Sequence, residues 1–326
     1  MNLKQLRYFL VIAEVGSMSA ASRALYVAQP ALSLQMANLE EELSVALFTR
    51  SVKGVQLTSA GEKLIDHARI ITRQVEVAKD HVGSDAFSPR GEVRLVIDGS
   101  KAYTLLAPLL KRCSTQYPDI TLSVTDAMST HAAQDLVDGK VDMALIPGAE
   151  DLPAVEVTPV YREPLHLIGR NLAHEGNNGC IDFSKLHQFS LVAPNKGFNL
   201  RHHLDEAALQ TQYRLNIKYQ QDTGLSIRCL TYHGMAYAIL PLDVMAAELK
   251  LGELDALKVV NPTIDRVHSL VQLSKQAPSH AMQAVAGLIK DLISDLCLDG
   301  NLDGECLARK KPPASVLGGG FLSYLS

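Results

Sequence analysis

The chain has 326 residues, 47% hydrophobic and 20% charged, with a formal net charge of −4. That length exceeds one compact core and suits two or three domains, and the composition excludes a disordered chain. Taken as an average, the acidic balance argues against a protein that works on phosphate backbones. The apolar run Tyr8 to Ala13 is shorter than a secretory core, and no small-residue cleavage site follows it. No apolar run approaches the roughly 18 residues of a membrane span; Met235 to Ala247 is broken by Pro241 and Asp243. The cysteines (113, 180, 229, 297 and 306) are odd in number and form no C-x-x-C. This usage points to a reducing compartment rather than to disulfides or zinc. The expectation is a soluble, cytoplasmic, multidomain protein with no metal, no cofactor and no membrane partner.

Leu3, Leu6, Phe9, Leu10 and Ala13 recur at helical spacing and stop at Gly16-Ser17. Ser19 is placed to cap a second short helix, Ala20 to Leu25. After a turn at Val27-Ala28-Gln29, Pro30 opens a third helix reaching Leu43, because proline is tolerated only in a first turn. Leu32, Met36, Leu39 and Leu43 form its buried stripe. Two small helices joined by so short a turn describe a helix-turn-helix. Residues 47–57 read as a hairpin with Lys53-Gly54 at its tip, a wing beside that motif.

Thr58, Ser59 and Glu62 signal a capping box, with Ser59 and Glu62 three apart. The helix that follows carries Leu64, Ala68, Ile71, Val75, Ala78 and Val82 at heptad spacing, a seam suggestive of dimerisation. Gly83 ends it, and Ser88-Pro89-Arg90-Gly91 reads as a linker. Beyond Gly91, strands at 93–97, 120–125 and 141–146 alternate with helices at 102–117 and 131–137. Such alternation builds a parallel sheet through right-handed crossovers. A second set has strands near 164–169, 189–193, 215–220, 237–240 and 267–273 and helices near 199–211, 223–232, 242–249 and 279–297. Lys310-Lys311-Pro312-Pro313 and Gly318-Gly319-Gly320 suggest a flexible tail from about 299 to 326.

The ordered positions Phe9-Leu10, Gly16-Ser17, Ala20-Ala21, Leu25, Gln29-Pro30-Ala31-Leu32-Ser33, Leu39-Glu40-Glu41-Glu42-Leu43, Leu47-Phe48, Arg50, Leu57-Thr58 and Ala60-Gly61 resemble the DNA-binding domain of LysR-type transcriptional regulators. Tyr117-Pro118-Asp119-Ile120, the run Leu136 to Ile146 and His233 to Pro241 resemble the effector-binding domain of the same family. Within it, Ala28 to Leu43 reads most like regulators of nitrogen assimilation. The resemblance covers about residues 1–298. It implies an α+β multidomain fold: a winged helix-turn-helix over 1–58 and a dimerisation linker helix over 59–87. A bilobed α/β effector domain, periplasmic-binding-protein-like in plan, spans 91–298. Lobe I takes about 91–161 and 266–298, and lobe II about 162–265. It also implies promoter DNA and a small metabolite effector as partners, a homodimer or homotetramer, and RNA polymerase if the protein activates.

A helix-turn-helix lays its second helix in the major groove. With Leu32, Met36 and Leu39 inward, Gln29, Pro30, Ser33, Leu34, Ala37 and Asn38 face outward. Gln and Asn suit an adenine edge, and Leu34 can touch a thymine methyl. Arg50 and Lys53 on the wing, with Arg23 on the preceding helix, are placed to grip phosphates. Against the family pattern, Ala28 replaces a capping Ser or Thr, and Leu34 stands where Arg is frequent. Ala37 and Asn38 stand where polar or basic residues are common, and Ala236 where Gly is common. These departures point to modest intrinsic affinity, with A·T-rich groove shape and multimerisation adding selectivity. Effector contacts fall at strand ends and helix starts: Ser100 and Lys101 after strand 93–98, and Asn195, Asn199 and Thr223 farther on.

The phosphate-loop hint at Gly99-Ser100-Lys101 fails, because Arg94 occupies the place of the first glycine. G-x-S-x-G, H-E-x-x-H and G-x-G-x-x-G are absent from the sequence, and an enzyme is not expected. A free-standing solute-binding protein is the alternative, and the N-terminal module counts against it. Residues 1–58 hold five basic residues (Lys4, Arg7, Arg23, Arg50, Lys53) against four acidic ones (Glu14, Glu40, Glu41, Glu42). No acidic residue lies between Val15 and Leu39 or between Leu43 and Gly61. The negative charge therefore belongs to the remainder of the chain. With Arg23, Arg50 and Lys53 as the local cations, the DNA affinity of one subunit is expected to fall with salt at a log–log slope of about −3. Titrating the isolated DNA-binding domain against salt checks this, and a much steeper slope would contradict it.

Overall fold

The computed structural model describes residues 1–51, 54–83, 88–127, 129–149, 155–274 and 277–308. Three helices open the chain: α1 (Leu3–Val15), α2 (Met18–Ala24) and α3 (Gln29–Leu43). Strands β1 (Phe48–Ser51) and β2 (Gly54–Leu57) form the hairpin, paired antiparallel with Phe48 opposite Leu57. The long helix α4 (Ser59–Gly83) follows. Next come β3 (Gly91–Asp98), α5 (Gly99–Gln116), β4 (Ile120–Ala127), α6 (Ser129–Val137), β5 (Met143–Pro147) and β6 (Val155–Pro164). The chain continues through β7 (His166–Gly169), β8 (Cys180–Asp182), a 3-10 turn (Phe183–Gln188), β9 (Leu191–Pro194), α7 (Asn199–Thr211), β10 (Ile217–Gln221) and α8 (Gly224–Tyr232). It closes with β11 (Tyr237–Leu240), a 3-10 turn (Leu242–Met245), α9 (Ala246–Lys250), β12 (Asp255–Val260), β13 (Asp265–Leu273), α10 (His280–Leu298) and β14 (Glu305–Cys306).

These elements gather into two units. The first holds Met1–Ala102, Leu110–Thr158 and Ser269–Val285; the second holds Tyr103–Leu109, Pro159–His268 and Ala286 onward. In the first unit β3 pairs in parallel with both β4 and β5, the alternation read from the sequence. Its apolar centre gathers Val96, Ala132, Leu136, Ala144, Ile146 and Val271. In the second, a six-stranded sheet runs β10-β9-β11-β7-β12-β8. This sheet is mixed, because β7 is antiparallel to both β11 and β12. Leu167, Ile168, Leu191, Val192, Ala238 and Val259 fill the core around it.

The linker helix α4 belongs to the first unit and has two working faces. Ala68 is fully buried in the core of the winged module, and Val77 is buried farther along. Gly139, at φ +67°, lets Ile70 come close: a Cβ there would sit 3.0 Å from the Ile70 Cγ1. Arg73 donates from Nε to the Asp142 carboxylate at 2.6 Å and from Nη2 to the Glu92 carbonyl at 2.9 Å. Asp142 also accepts from the Arg94 backbone N–H at 2.8 Å and from its guanidinium at 2.9 Å. The helix is thereby anchored on the turn before β5. Ile71 and Val82 on the heptad face are exposed, Val82 at 91%.

Several expectations need correction. Ser17, not Ser19, caps α2, accepting from the Ala20 N–H, because the left-handed Gly16 ends α1 and leaves Ser17 extended. Thr58, not Ser59, serves α4: its hydroxyl accepts from the Gly61 N–H at 3.0 Å. The helix placed at 242–249 is a 3-10 turn followed by α9, with Met245 at φ −120° between them. Strands β6, β8 and β12 were not read from the sequence. Pro159 and Pro164 disguise β6, and β8 is only three residues long. Part of the tail expected from 299 is packed on the fold: Leu302 is buried, and β14 pairs antiparallel with β6 through Glu305↔Arg162 and Cys306↔Tyr161. The remainder of that tail, 309–326, lies outside the described residues.

The second unit also contains a buried ionic cluster. Glu163, at 1% side-chain exposure, accepts from Arg266 Nε at 3.0 Å and lies 2.8 Å from His268 Nε2. Beside it the Tyr161 hydroxyl donates to the Asp303 carbonyl at 2.6 Å. Burial holds the His166 imidazole below its ordinary value. Among the described residues no helix is long and apolar enough to cross a membrane. Replacing Glu163 by alanine would leave the buried Arg266 guanidinium without the Glu163 carboxylate. The expected loss is about 3–5 kcal/mol of stability in the second unit, read as a lower denaturant midpoint; an unchanged midpoint would contradict it.

Candidate functional site

The helix-turn-helix is built around a small apolar centre. Phe9, Ile12, Ala21, Leu32 and Leu39 are fully buried there, and the Phe9 ring meets Phe48 of the wing at 5.2 Å between centroids. A reciprocal capping box between Asn2 and Gln5 starts α1, both bonds at 2.9 Å. The sequence reading missed it because N-x-x-Q is a weak variant of the pattern. The Glu40 carboxylate accepts from the Leu47 and Phe48 N–H groups at 2.7 and 3.1 Å, which ties the hairpin to α3. Gly61 completes the joint, since a Cβ there would lie 2.3 Å from the Leu47 carbonyl oxygen.

The orientation of α3 follows from this packing. With Leu32, Met36 and Leu39 inward, Gln29, Pro30, Leu34, Ala37 and Asn38 are exposed and Ser33 is half-buried. Leu34 is 59% exposed, an apolar side chain without cover in this chain. Arg23 is exposed in the last turn of α2. Arg50 lies in β1 opposite Val55, and Lys53 lies outside the described residues. Arg7, by contrast, forms a half-exposed ion pair with Glu76 of α4. At the start of α3, Ala28 occupies the N-cap with no side-chain hydrogen bond, and Pro30 sits in the first turn.

The expected effector residues fall in both units. In the first, Asp98 caps α5: its carboxylate accepts from the Ser100 N–H at 3.0 Å and from the Ser100 hydroxyl. A carboxylate of the chain itself thus occupies this helix N-terminus, the place that would otherwise suit an anion. Lys101 is 1% exposed, taken up within the fold. In the second unit, Asn195 follows β9 and donates to Asp222, which follows the neighbouring parallel strand β10. Thr223 caps α8 and accepts from the Ser226 N–H at 3.2 Å. Asn199 opens α7, and its Oδ1 is buried without a hydrogen-bond partner. Asn195 and Thr223 are therefore gathered at the carboxyl ends of two parallel strands, with Asn199 at the helix start that follows the first.

Sequence reasoning missed Arg201, which holds this region together. Its buried guanidinium donates to Asp205 at 2.8 Å, to the Pro194 carbonyl at 3.2 Å and to Gln220 at 3.3 Å. Only the i,i+4 spacing of Arg201 and Asp205 could have signalled it. Among the described residues no cluster of His, Cys, Asp and Glu could hold a metal ion.

Comparison with known proteins gives concordant matches. Residues 3–62 match the family model "Bacterial regulatory helix-turn-helix protein, lysR family", and residues 88–294 match "LysR substrate binding domain". The nitrogen assimilation regulatory protein nac of Escherichia coli (strain K12) is 28% identical over 297 residues, covering 90% of this chain and 96% of that protein. A probable RuBisCO transcriptional regulator of Synechocystis is 30% identical over 278 residues, covering 83% and 80%. Among solved structures, a full-length OxyR from Pseudomonas aeruginosa superposes with a TM-score of 0.71 at 20% identity, covering 90% of this chain and 94% of that one. Full-length CbnR in complex with its target DNA gives 0.54 at 23% identity, covering 90% and 100%.

The uncapped start of α3 can be tested directly. Serine at position 28 would accept from an N–H of the first turn, so Ala28→Ser is expected to stabilise the N-terminal domain by about 1 kcal/mol. Denaturant unfolding of the wild type and variant measures the difference.

Proposed function

The chain belongs to the LysR family of bacterial helix-turn-helix transcriptional regulators, and we propose that the exposed face of α3 is the surface with which it reads promoter DNA. The observation that carries this reading is the part of that face from Gln29 to Asn38, exposed and free of carboxylates. Gln29 and Asn38 can each donate to and accept from an adenine edge, and Ser33 makes a short adaptable contact. Pro30 shapes the first turn, whose open N–H groups suit a phosphate. Leu34 meets a thymine methyl. Arg23, Arg50 and Lys53 neutralise backbone phosphates.

In this reading residues 1–58 bind DNA, 59–87 pair subunits and 91–298 receive the signal. The exposed Ile71 and Val82, in register with Val75 and Ala78, form the seam between two copies of α4. Further contacts between effector domains build a tetramer. A small metabolite is recognised by polar groups such as those of Asn195, Asn199 and Thr223, and it shifts the arrangement of the DNA-binding pairs. The similarity to the nac proteins supports a place near the regulators of nitrogen assimilation. The protein acts in the cytoplasm, and it engages RNA polymerase if it activates.

Footprinting of the full-length protein on genomic fragments, repeated across a metabolite panel, is expected to reveal a protected, dyad-symmetric region. Leu34→Arg, which replaces a methyl contact by a guanine-binding fork, is expected to move base preference from T towards G at one position of each half-site. An unchanged preference in a binding-site selection would show that this face is misplaced.

A further inference from the structure

The turn between α2 and α3 contains a residue whose side chain the fold itself does not call for. The chain leaves α2 through a paired closure: the Val27 N–H donates to the Ser22 carbonyl at 3.0 Å and the Tyr26 N–H to the Arg23 carbonyl at 3.2 Å. This closure needs a left-handed residue at position 26, a place usually filled by glycine or asparagine. Tyr26 takes it, at φ 54°. The first helix meets the same demand with Gly16. The other left-handed, non-glycine residues among those described are Ser44, Asn171, Asn178, Gln212 and Asn261. All of these have short polar or amide side chains, the type that tolerates this region best. Tyr26 is the aromatic exception.

Nothing among the described residues compensates for that choice. Tyr26 is 96% exposed, the most exposed of the large apolar side chains described. Its ring therefore packs against almost nothing. Val27, the next residue, packs on the core of the winged module and needs no help from Tyr26 to do so. A disfavoured backbone state that carries a fully solvated side chain points to a partner outside the chain.

The surroundings identify the chemistry of that partner. Arg23 is exposed one turn before Tyr26, and Gln29 and Pro30 are exposed at the start of α3. No acidic side chain occurs between Val15 and Leu39. A phenol in such a setting offers a hydroxyl donor at the end of a long ring, one turn after a cation and within a stretch of chain that carries no carboxylate. That combination fits a phosphodiester oxygen, with the ring lying against the adjacent sugar.

We infer that Tyr26 is a DNA-positioning residue, its hydroxyl donating to a backbone phosphate next to the groove that α3 enters. The inference rests on the reading of α3 as the DNA-binding helix and adds a contact that the helix itself does not supply. A phosphate contact sets register and carries no base information, so its loss weakens all sequences alike.

The test uses the full-length chain and two duplexes of equal length: one recovered by the wild type from a randomised pool, and one of mixed sequence. Tyr26→Phe removes only the hydroxyl. It is expected to weaken binding to both duplexes about tenfold, the worth of a hydrogen bond to a charged acceptor. The salt slope should stay unchanged because no charge is lost. Tyr26→Gly relaxes the left-handed position; it is expected to bind at least as weakly as Tyr26→Phe while melting at or above the wild-type temperature. Wild-type affinity in Tyr26→Phe would overturn the inference. So would a lower melting temperature in Tyr26→Gly, which would assign Tyr26 to the fold instead. A wild-type chain that bound neither duplex would overturn the DNA reading itself, a failure the control distinguishes from the other two.

Discussion

A nearly buried carboxylate, that of Asp142, sits between the guanidinium groups of Arg73 and Arg94, and the course of the first unit depends on that contact. Arg73 comes from α4 and Arg94 from β3, so one acidic group fixes the helix that leaves the winged module onto the sheet that begins the effector domain. The attraction is effective because the carboxylate is shielded from water and fully hydrogen-bonded. Gly139 lets the helix settle on the turn, and Ile70 fills the space a side chain would have taken. Once this face of α4 is committed, Ile71 and Val82 must point elsewhere. The helix thus has one side turned to its own chain and another, with Ile71 and Val82, that is exposed.

Charge is sorted in the winged module on a finer scale than the net value suggests. Glu40 spends its carboxylate on two N–H groups of the hairpin, and Arg7 is engaged by Glu76. Glu40 is thereby engaged within the module, and Arg7 and Glu76 neutralise each other as a half-exposed pair. What remains near α3 is an exposed face with Arg23 as its flanking cation, Leu34 uncovered, and Tyr26 held out at the turn. An acidic protein can approach a polyanion when its carboxylates are directed away from the contact.

The second unit follows a different logic, with polar groups collected where strands end. Arg201 bridges the end of β9 and the strand β10, which sets the positions of Asn195 and Asp222. Glu163, Arg266 and His268 form a separate buried cluster on β6 and β13. Next to it, Tyr161 and β14 hold residues 302–306 against the sheet edge.

The sequence by itself determined the elements whose burial follows a local period. The stripe Leu32, Met36, Leu39 defines α3 and its outward face, because a helix repeats every 3.6 residues wherever it packs. The strands β3, β4 and β5 and the helices between them were legible for the same reason. Tertiary structure alone decided what depends on distant partners. The Asp142 contact joins residues 69 positions apart, and Glu163 meets Arg266 across 103. Neither spacing leaves a periodic trace. The capping roles of Ser17 and Thr58 went to neighbours of the residues the pattern favoured, because caps are set by where the preceding turn releases the chain. The strand β14 has no pattern of its own in two residues; it exists because the edge of β6 offers unpaired backbone groups that the tail can satisfy. Local periodicity specifies which face of an element is buried, whereas the pairing of charges and strand edges is settled only when the chain has closed in three dimensions.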